Sequence, residues 1–294
     1  MYCTQALIVL LAALAGLSGA EAPRSLRGET ALEFTRKLVA FGPRPSGSPA
    51  HASMQAYLAA QLRLFGCATE ELPFQASTPN GPVRMKNILV RVPGTSTRPV
   101  VITGHYDTKV LPGFAGANDG GSSAGLLLEL ARVLCGMPKK ADPVWLVWLD
   151  GEEAVKTWSE TDSLYGSRWL ASKWKADGTA KRIKALVNID MIGDRDLNLV
   201  ADMNSSTQVR ELFWGAAREL GYGQYLTGGT GAIEDDHIPF ARAGIPVLDV
   251  IDFDYGPGNS YWHTDRDTMD KLSARSFQVI GDVLLRVIKK LGGM

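Results

Sequence analysis

Cysteine and histidine are both scarce in this 294-residue chain, at three and four residues, and neither sign of charge is in surplus. Cys3 lies ahead of an apolar N-terminal run, which leaves Cys67 and Cys135 in the body of the chain, too few for a disulfide framework at this size. One follows a helical stretch and the other sits in the apolar end of another, so two separate buried thiols are expected, although export would permit a bridge. Lys and Arg number 31 and Asp and Glu also 31. No overall field would therefore hold nucleic acid or an anionic membrane surface, and a small molecule or a peptide end is the expected partner of a monomer. Internal repeats, low-complexity tracts and a Gly/Ser linker of the length a second domain requires are missing as well.

Long apolar runs are lacking beyond the segment from Ala6 to Ala20, ALIVLLAALAGLSGA. It ends in small residues and is shorter than the roughly 20 apolar residues of a spanning helix, which reads as a secretory signal although no Lys or Arg precedes it. Residues 1–22 are assigned to that signal, with cleavage after Ala20 or Ala22. Export to a secreted or periplasmic location follows, without stable membrane association; an uncleaved anchor is the alternative. Residues 23–294, rich in hydrophobic side chains, suffice for one large α/β catalytic domain.

What is present is a regular alternation. Apolar residues recur at helical spacing from Glu29 to Phe41 and from Pro49 to Phe65, with Gly42 and Gly66 as stops. β-branched apolar runs then predict strands at Lys86–Val92, Pro99–Gly104, Pro143–Leu149, Ile183–Ile189 and Pro246–Ile251. Helical stretches are predicted at Ser122–Leu134, Ser163–Trp174, Ser206–Leu220 and Ser273–Leu291. Strands alternating with helices argue a mostly parallel sheet covered on both faces, whose carboxyl edge collects ligands.

The polar motifs fall at that edge. VVITG runs into His105-Tyr106-Asp107, putting a His and an Asp on one side of the chain; a hydrogen-bonded turn would use the same residues. GANDGGSSAG carries Asp119 among small residues that let backbone approach a metal, or cap a helix. WLVWLDGEE ends an apolar strand with Glu152 and Glu153. Two carboxylates at a core's rim are costly unless paired or bound to a cation, and successive side chains face opposite ways, so one can hold a metal while the other faces substrate. ALVNID delivers Asp190. AIEDDHIPF presents Glu234, Asp235, Asp236 and His237 before a short helix, where some must be plain capping residues. SYWHTD places His263 beside Trp262. His51, with no acidic company in sequence, reads as structural or solvent-facing. One His with two carboxylates can hold zinc with an open fourth position, and Asp119, Glu153 and His263 fit that rule.

Taken together, DGEEAVKTWSETDSLYGSRWLA, EDDHIPFARAGIPVL and YWHT resemble segments of the animal-type, zinc-dependent glutaminyl-peptide cyclotransferases (glutaminyl cyclases). HYD, GAND, GEE and NIDMIG are shared more widely with zinc aminopeptidases of the same superfamily. The resemblance runs from about Glu29 to the C-terminus. It implies a mixed, mostly parallel sheet of about six strands flanked by helices on both faces. It also implies that Asp119, Glu153 and His263 bind one zinc per chain and that Glu152 is the proton-transferring acid/base. Asp190 and Asp235 would share a hydrogen-bond network with it, and Trp158 and Trp262 would wall the glutamine pocket. The implied reaction closes an N-terminal Gln of a peptide or protein into pyroglutamate with release of ammonia. Glu152 should then titrate nearer neutrality than a free Glu, raised by neighbouring carboxylates such as Asp190 and Asp235.

Two other readings use the same residues. In a secreted two-zinc aminopeptidase, His105 and Asp190 would bind a second ion bridged by Asp119, with Glu152 activating water. The long Trp158 segment argues against it. A non-catalytic binding ectodomain would be expected to have lost ligands or the acid/base, and none is missing.

Overall fold

A computed structural model describes residues 25–137 and 142–292; the expected signal, residues 1–22, lies outside them. The described chain runs α1 (Gly28–Val39), α2 (Pro49–Leu64), β1 (Thr69–Thr78), β2 (Gly81–Val92), β3 (Val100–His105), α3 (Gly121–Leu134), β4 (Val144–Leu149) and α4 (Tyr165–Ala176). It continues with β5 (Ala185–Asp190), β6 (Ala201–Asp202), α5 (Thr207–Glu219), β7 (Thr230–Gly231), α6 (His237–Arg242), β8 (Val247–Ile251) and α7 (Ala274–Lys290). Ser48 starts α2 by accepting the His51 N–H, with Pro49 in the first turn, and Ser273 does the same for α7 through the Arg275 N–H.

Among the described residues six strands form one sheet in the order β1-β2-β4-β3-β5-β8, and β6 pairs with β7 apart from it. The β1-β2 and β2-β4 junctions are antiparallel; β4, β3, β5 and β8 run parallel. Every residue of β3, β4, β5 and β8 is buried, which is why these strands read as mainly apolar runs rather than alternating ones, broken inside only by Thr103, Asn188 and Asp249. Residues of α1, α2, α3, α5 and α7 pack one face, and residues of α4 and α6 the other. The chain leaves β3 for β4 on one side and then crosses back to β5 on the other. The carboxyl end of β3 is thus the switch point where a crevice opens.

β1, β6 and β7 were not expected. β1 is an edge strand whose buried positions alternate with exposed ones and which holds Pro73, so it lacks the β-branched run that marks the interior strands.

Cys67 and Cys135 form a disulfide, with Cα atoms 5.3 Å apart, contrary to the expected separate thiols. The reason is tertiary: the chain just after α2 and the end of α3, 68 residues apart in sequence, come together over the same sheet face, and no spacing rule shows that.

The α1–α3 crossing depends on Gly125. A Cβ there would fall 2.0 Å from Thr35 Oγ1 and 3.0 Å from the Ala31 carbonyl oxygen. Gly125→Ala is expected to cost about 1–3 kcal/mol through overpacking, read as a lowered denaturation midpoint. An unchanged midpoint would mean that the two helices move apart freely.

Candidate active site

Each functional side chain sits just beyond a buried strand or in a loop pinned by a buried carboxylate. The Asp107 carboxylate, past the end of β3, accepts the Glu152 N–H at 3.1 Å and the Glu153 N–H at 3.3 Å, and lies 3.5 Å from His105 Nδ1. It therefore fixes the turn after β4 that aims the two glutamates. The loop carrying Asp119 is held by Asp267, which accepts the Asn118 and Asp119 N–H groups at 2.8 and 3.1 Å. It is also held by buried Arg44, which donates to the Ala115 and Gly116 carbonyls. Burial lowers the Arg44 guanidinium to about 10 against the pull of Asp267, Asp107 and Asp119. Gly120 has φ +76, and a Cβ there would lie 2.5 Å from the Asp107 carbonyl oxygen, so the approach of the two loops requires glycine. His263 itself has a positive φ of 51°, uncommon for a residue with a side chain, and its ring stacks on Trp262 at 4.0 Å.

These loops bring together Asp119, Glu153 and His263, with one ligand atom from each all within 4.8 Å of one another. His263 Nε2 is 3.3 Å from Asp119 Oδ2 and 3.2 Å from Glu153 Oε1. Glu153 Oε2 takes the Lys109 ammonium at 3.1 Å. Oε1 is buried without an aligned hydrogen bond, although the imidazole nitrogen is close. An orphaned buried carboxylate oxygen facing an imidazole and a second carboxylate is the donor set of a zinc site, so the residues fit that ion. Burial alone would lower the His263 imidazole, but Asp119 and Glu153 outweigh it and push it up to about 9. That charge balance is what a cation would replace. A second set adjoins the first: His105 Nε2 lies 3.1 Å from Asp190 Oδ1 and 3.3 Å from Asp119 Oδ1.

The eight residues to which the resemblance gives a role line one cavity of about 330 Å³: Asp119, Glu152, Glu153, Trp158, Asp190, Asp235, Trp262 and His263. Burial, followed by the charges of Glu153, Asp235 and Asp236, raises the Glu152 carboxyl well above the usual range against the pull of His105. The expected upward direction holds, but burial is the larger cause, and Asp235 rather than Asp190 is among its principal neighbours. Burial likewise lifts Asp190 to about 7, opposed by His105 and helped by Asp235 and Asp119. Asp235 is steered by the Asn188 amide, which donates to it at 2.9 Å.

Several contributors escaped the sequence reading. Asp162 accepts the backbone N–H groups of Val155, Lys156 and Thr157 at 2.8–2.9 Å and so shapes the loop that presents Trp158. Lys109, Ile233, Glu234 and Phe253 also line the cavity, Phe253 edge-on to Trp262 with centroids 5.0 Å apart. Ile233 and Glu234 fall inside the AIEDDHIPF motif but were given no role in the cavity, and neither periodicity nor motif marks Lys109 or Phe253. Of the two roles expected of His51 the structural one holds: it is 2 % exposed, stacks on Tyr106 and lies 3.1 Å from Asp150 Oδ1, an acidic partner 99 positions away in the chain that no local reading finds. The expected capping fails. Asp236 holds the N-cap position of α6 but makes no capping hydrogen bond. His237 is buried 3.2 Å from Asp202 Oδ2, away from the cavity lining.

Residues 87–288 match the model of peptidase family M28. The glutaminyl-peptide cyclotransferase of Drosophila melanogaster is 32% identical over 252 residues, spanning 76% of this chain and 70% of that protein. The crystal structure of an Acidobacteriales bacterium glutaminyl cyclase is similar with a TM-score of 0.88 and 43% identity, covering 92% of this chain and 96% of that one. A Zn-dependent exopeptidase from Parabacteroides distasonis follows with a TM-score of 0.79 and 26% identity, covering 91% of this chain and 99% of that one.

Proposed function

This chain belongs to peptidase family M28, and from that premise we propose that it is a glutaminyl-peptide cyclotransferase, closing N-terminal Gln of peptides or proteins into pyroglutamate with release of ammonia. The observation that carries the reading is the joint one: a His/Asp/Glu cation set, a separate buried Glu and two Trp residues line a single cavity of about 330 Å³. In this reading Asp119, Glu153 and His263 hold one zinc, which supplies Lewis acidity to the γ-carboxamide oxygen. Trp158 and Trp262 flank the glutamine side chain and hold it bent, so that its own α-amine reaches the γ-carbon and attack is intramolecular. Glu152 accepts a proton from the α-amine as the new N–C bond forms. It returns that proton to the departing amide nitrogen as the old C–N bond breaks, leaving ammonia. Asp190 and Asp235 share the proton load of Glu152.

The Cys67–Cys135 bridge supports an exported enzyme, secreted or periplasmic, because such bonds persist in oxidising compartments. Among the described residues no helix is long and apolar enough to cross a membrane.

A two-metal aminopeptidase is the second reading, favoured by the His105/Asp119/Asp190 set. Incubating the purified protein with a Gln-initiated peptide and weighing the product by mass spectrometry separates the two. Loss of one ammonia with the chain intact, and one zinc per chain, is the expected result; release of the first residue, with two metals bound, would overturn it.

A further inference from the structure

Six carboxylates line the cavity, those of Asp119, Glu152, Glu153, Asp190, Glu234 and Asp235, against one ammonium, Lys109. Lys109 is already committed to Glu153 at 3.1 Å. Five of the six acids are buried, and the cation set and the acid/base of the proposed reaction account for them. Glu234 is different. It lies on the exposed part of the lining with Trp158 and Ala232, and among the described residues its side chain accepts one hydrogen bond, from the Trp158 indole N–H at 3.4 Å. Among the described residues no cation pairs with it.

A peptide whose first side chain fills the cavity must leave over this rim, so its next residue passes the Glu234 carboxylate. Charge at a cleft mouth with low-dielectric walls acts on the approaching ligand more strongly than the same charge on an open surface. We propose that Glu234 is a specificity-determining residue that makes the enzyme favour Gln peptides with a basic residue at the second position and disfavour those with an acidic one. The inference rests on the proposed cyclotransferase reading and names its substrate class.

The test measures kcat/KM for three amidated peptides that differ only in their second residue, Lys, Ala or Glu. With the unaltered protein at low salt the Lys peptide should exceed the Glu peptide by about tenfold, a ratio that shrinks as salt is added. Glu234→Gln should bring the ratio to about twofold and Glu234→Lys should invert it. Were Glu234 merely a support for Trp158, both variants would slow all three peptides alike and leave the ratio intact. That outcome, or no charge preference in the unaltered protein, overturns the inference while leaving the cyclotransferase reading standing. Failure to cyclise any of the three overturns both.

Discussion

Glu152→Gln is expected to lower kcat/KM for a Gln-initiated peptide by about 10²–10⁴-fold, the usual contribution of a positioned proton-transfer group, while zinc content stays at that of the unaltered protein. The substitution removes the titratable oxygen and preserves volume. The backbone of residue 152 remains tied to Asp107 at 3.1 Å, so the neighbouring Glu153 keeps its place beside His263. Burial has already raised this carboxyl, making the neutral amide a smaller disturbance than it would be at an exposed position. Ammonia release measures the rate and metal analysis measures the zinc. Retention of more than about a tenth of the activity would fall outside the range expected of such a group and remove Glu152 from the chemistry.

The second large effect concerns the cation. Asp119→Ala should weaken zinc binding by more than the roughly 10–100-fold that loss of an outer-sphere partner costs, with activity falling in proportion to bound metal. Asp119 is the pivot of the site. One of its oxygens is 3.3 Å from His263 Nε2 and the other 3.3 Å from His105 Nε2. Those imidazoles hold its carboxyl well below the usual carboxylate range despite burial. Competition against a chelator of known affinity reads the zinc constant directly, independent of turnover. An Asp119→Ala protein that still binds zinc as tightly as before would mean that the ion sits elsewhere, and the reaction proposed for the cavity would lose its electrophile.

The two outcomes together distinguish roles that sequence adjacency leaves ambiguous. Glu152 and Glu153 are neighbours in the chain, yet loss of the first should spare the metal and loss of a ligand should not. The difference arises because Asp107 accepts both backbone N–H groups and sets the turn, so that Glu153 Oε1 is 3.2 Å from His263 Nε2 while Glu152 remains in the same cavity lining.

The sequence by itself determined the parallel core and eight of the residues that line the cavity. Strands buried on both faces are mainly apolar, and Asp190 and the Glu152–Glu153 pair put charge where β5 and β4 end. Only the tertiary structure decided the supports: Asp107 under the glutamates, Asp267 and Arg44 behind Asp119, and Asp150 beside His51. It alone decided the Cys67–Cys135 bridge and edge strand β1. The physical reason is range. Periodicity and local motifs record what a residue does within its own element. Hydrogen bonds and ion pairs between residues a hundred or more positions apart, such as Asp119 with Asp267 or His263, exist only once the loops above the sheet have been closed against one another.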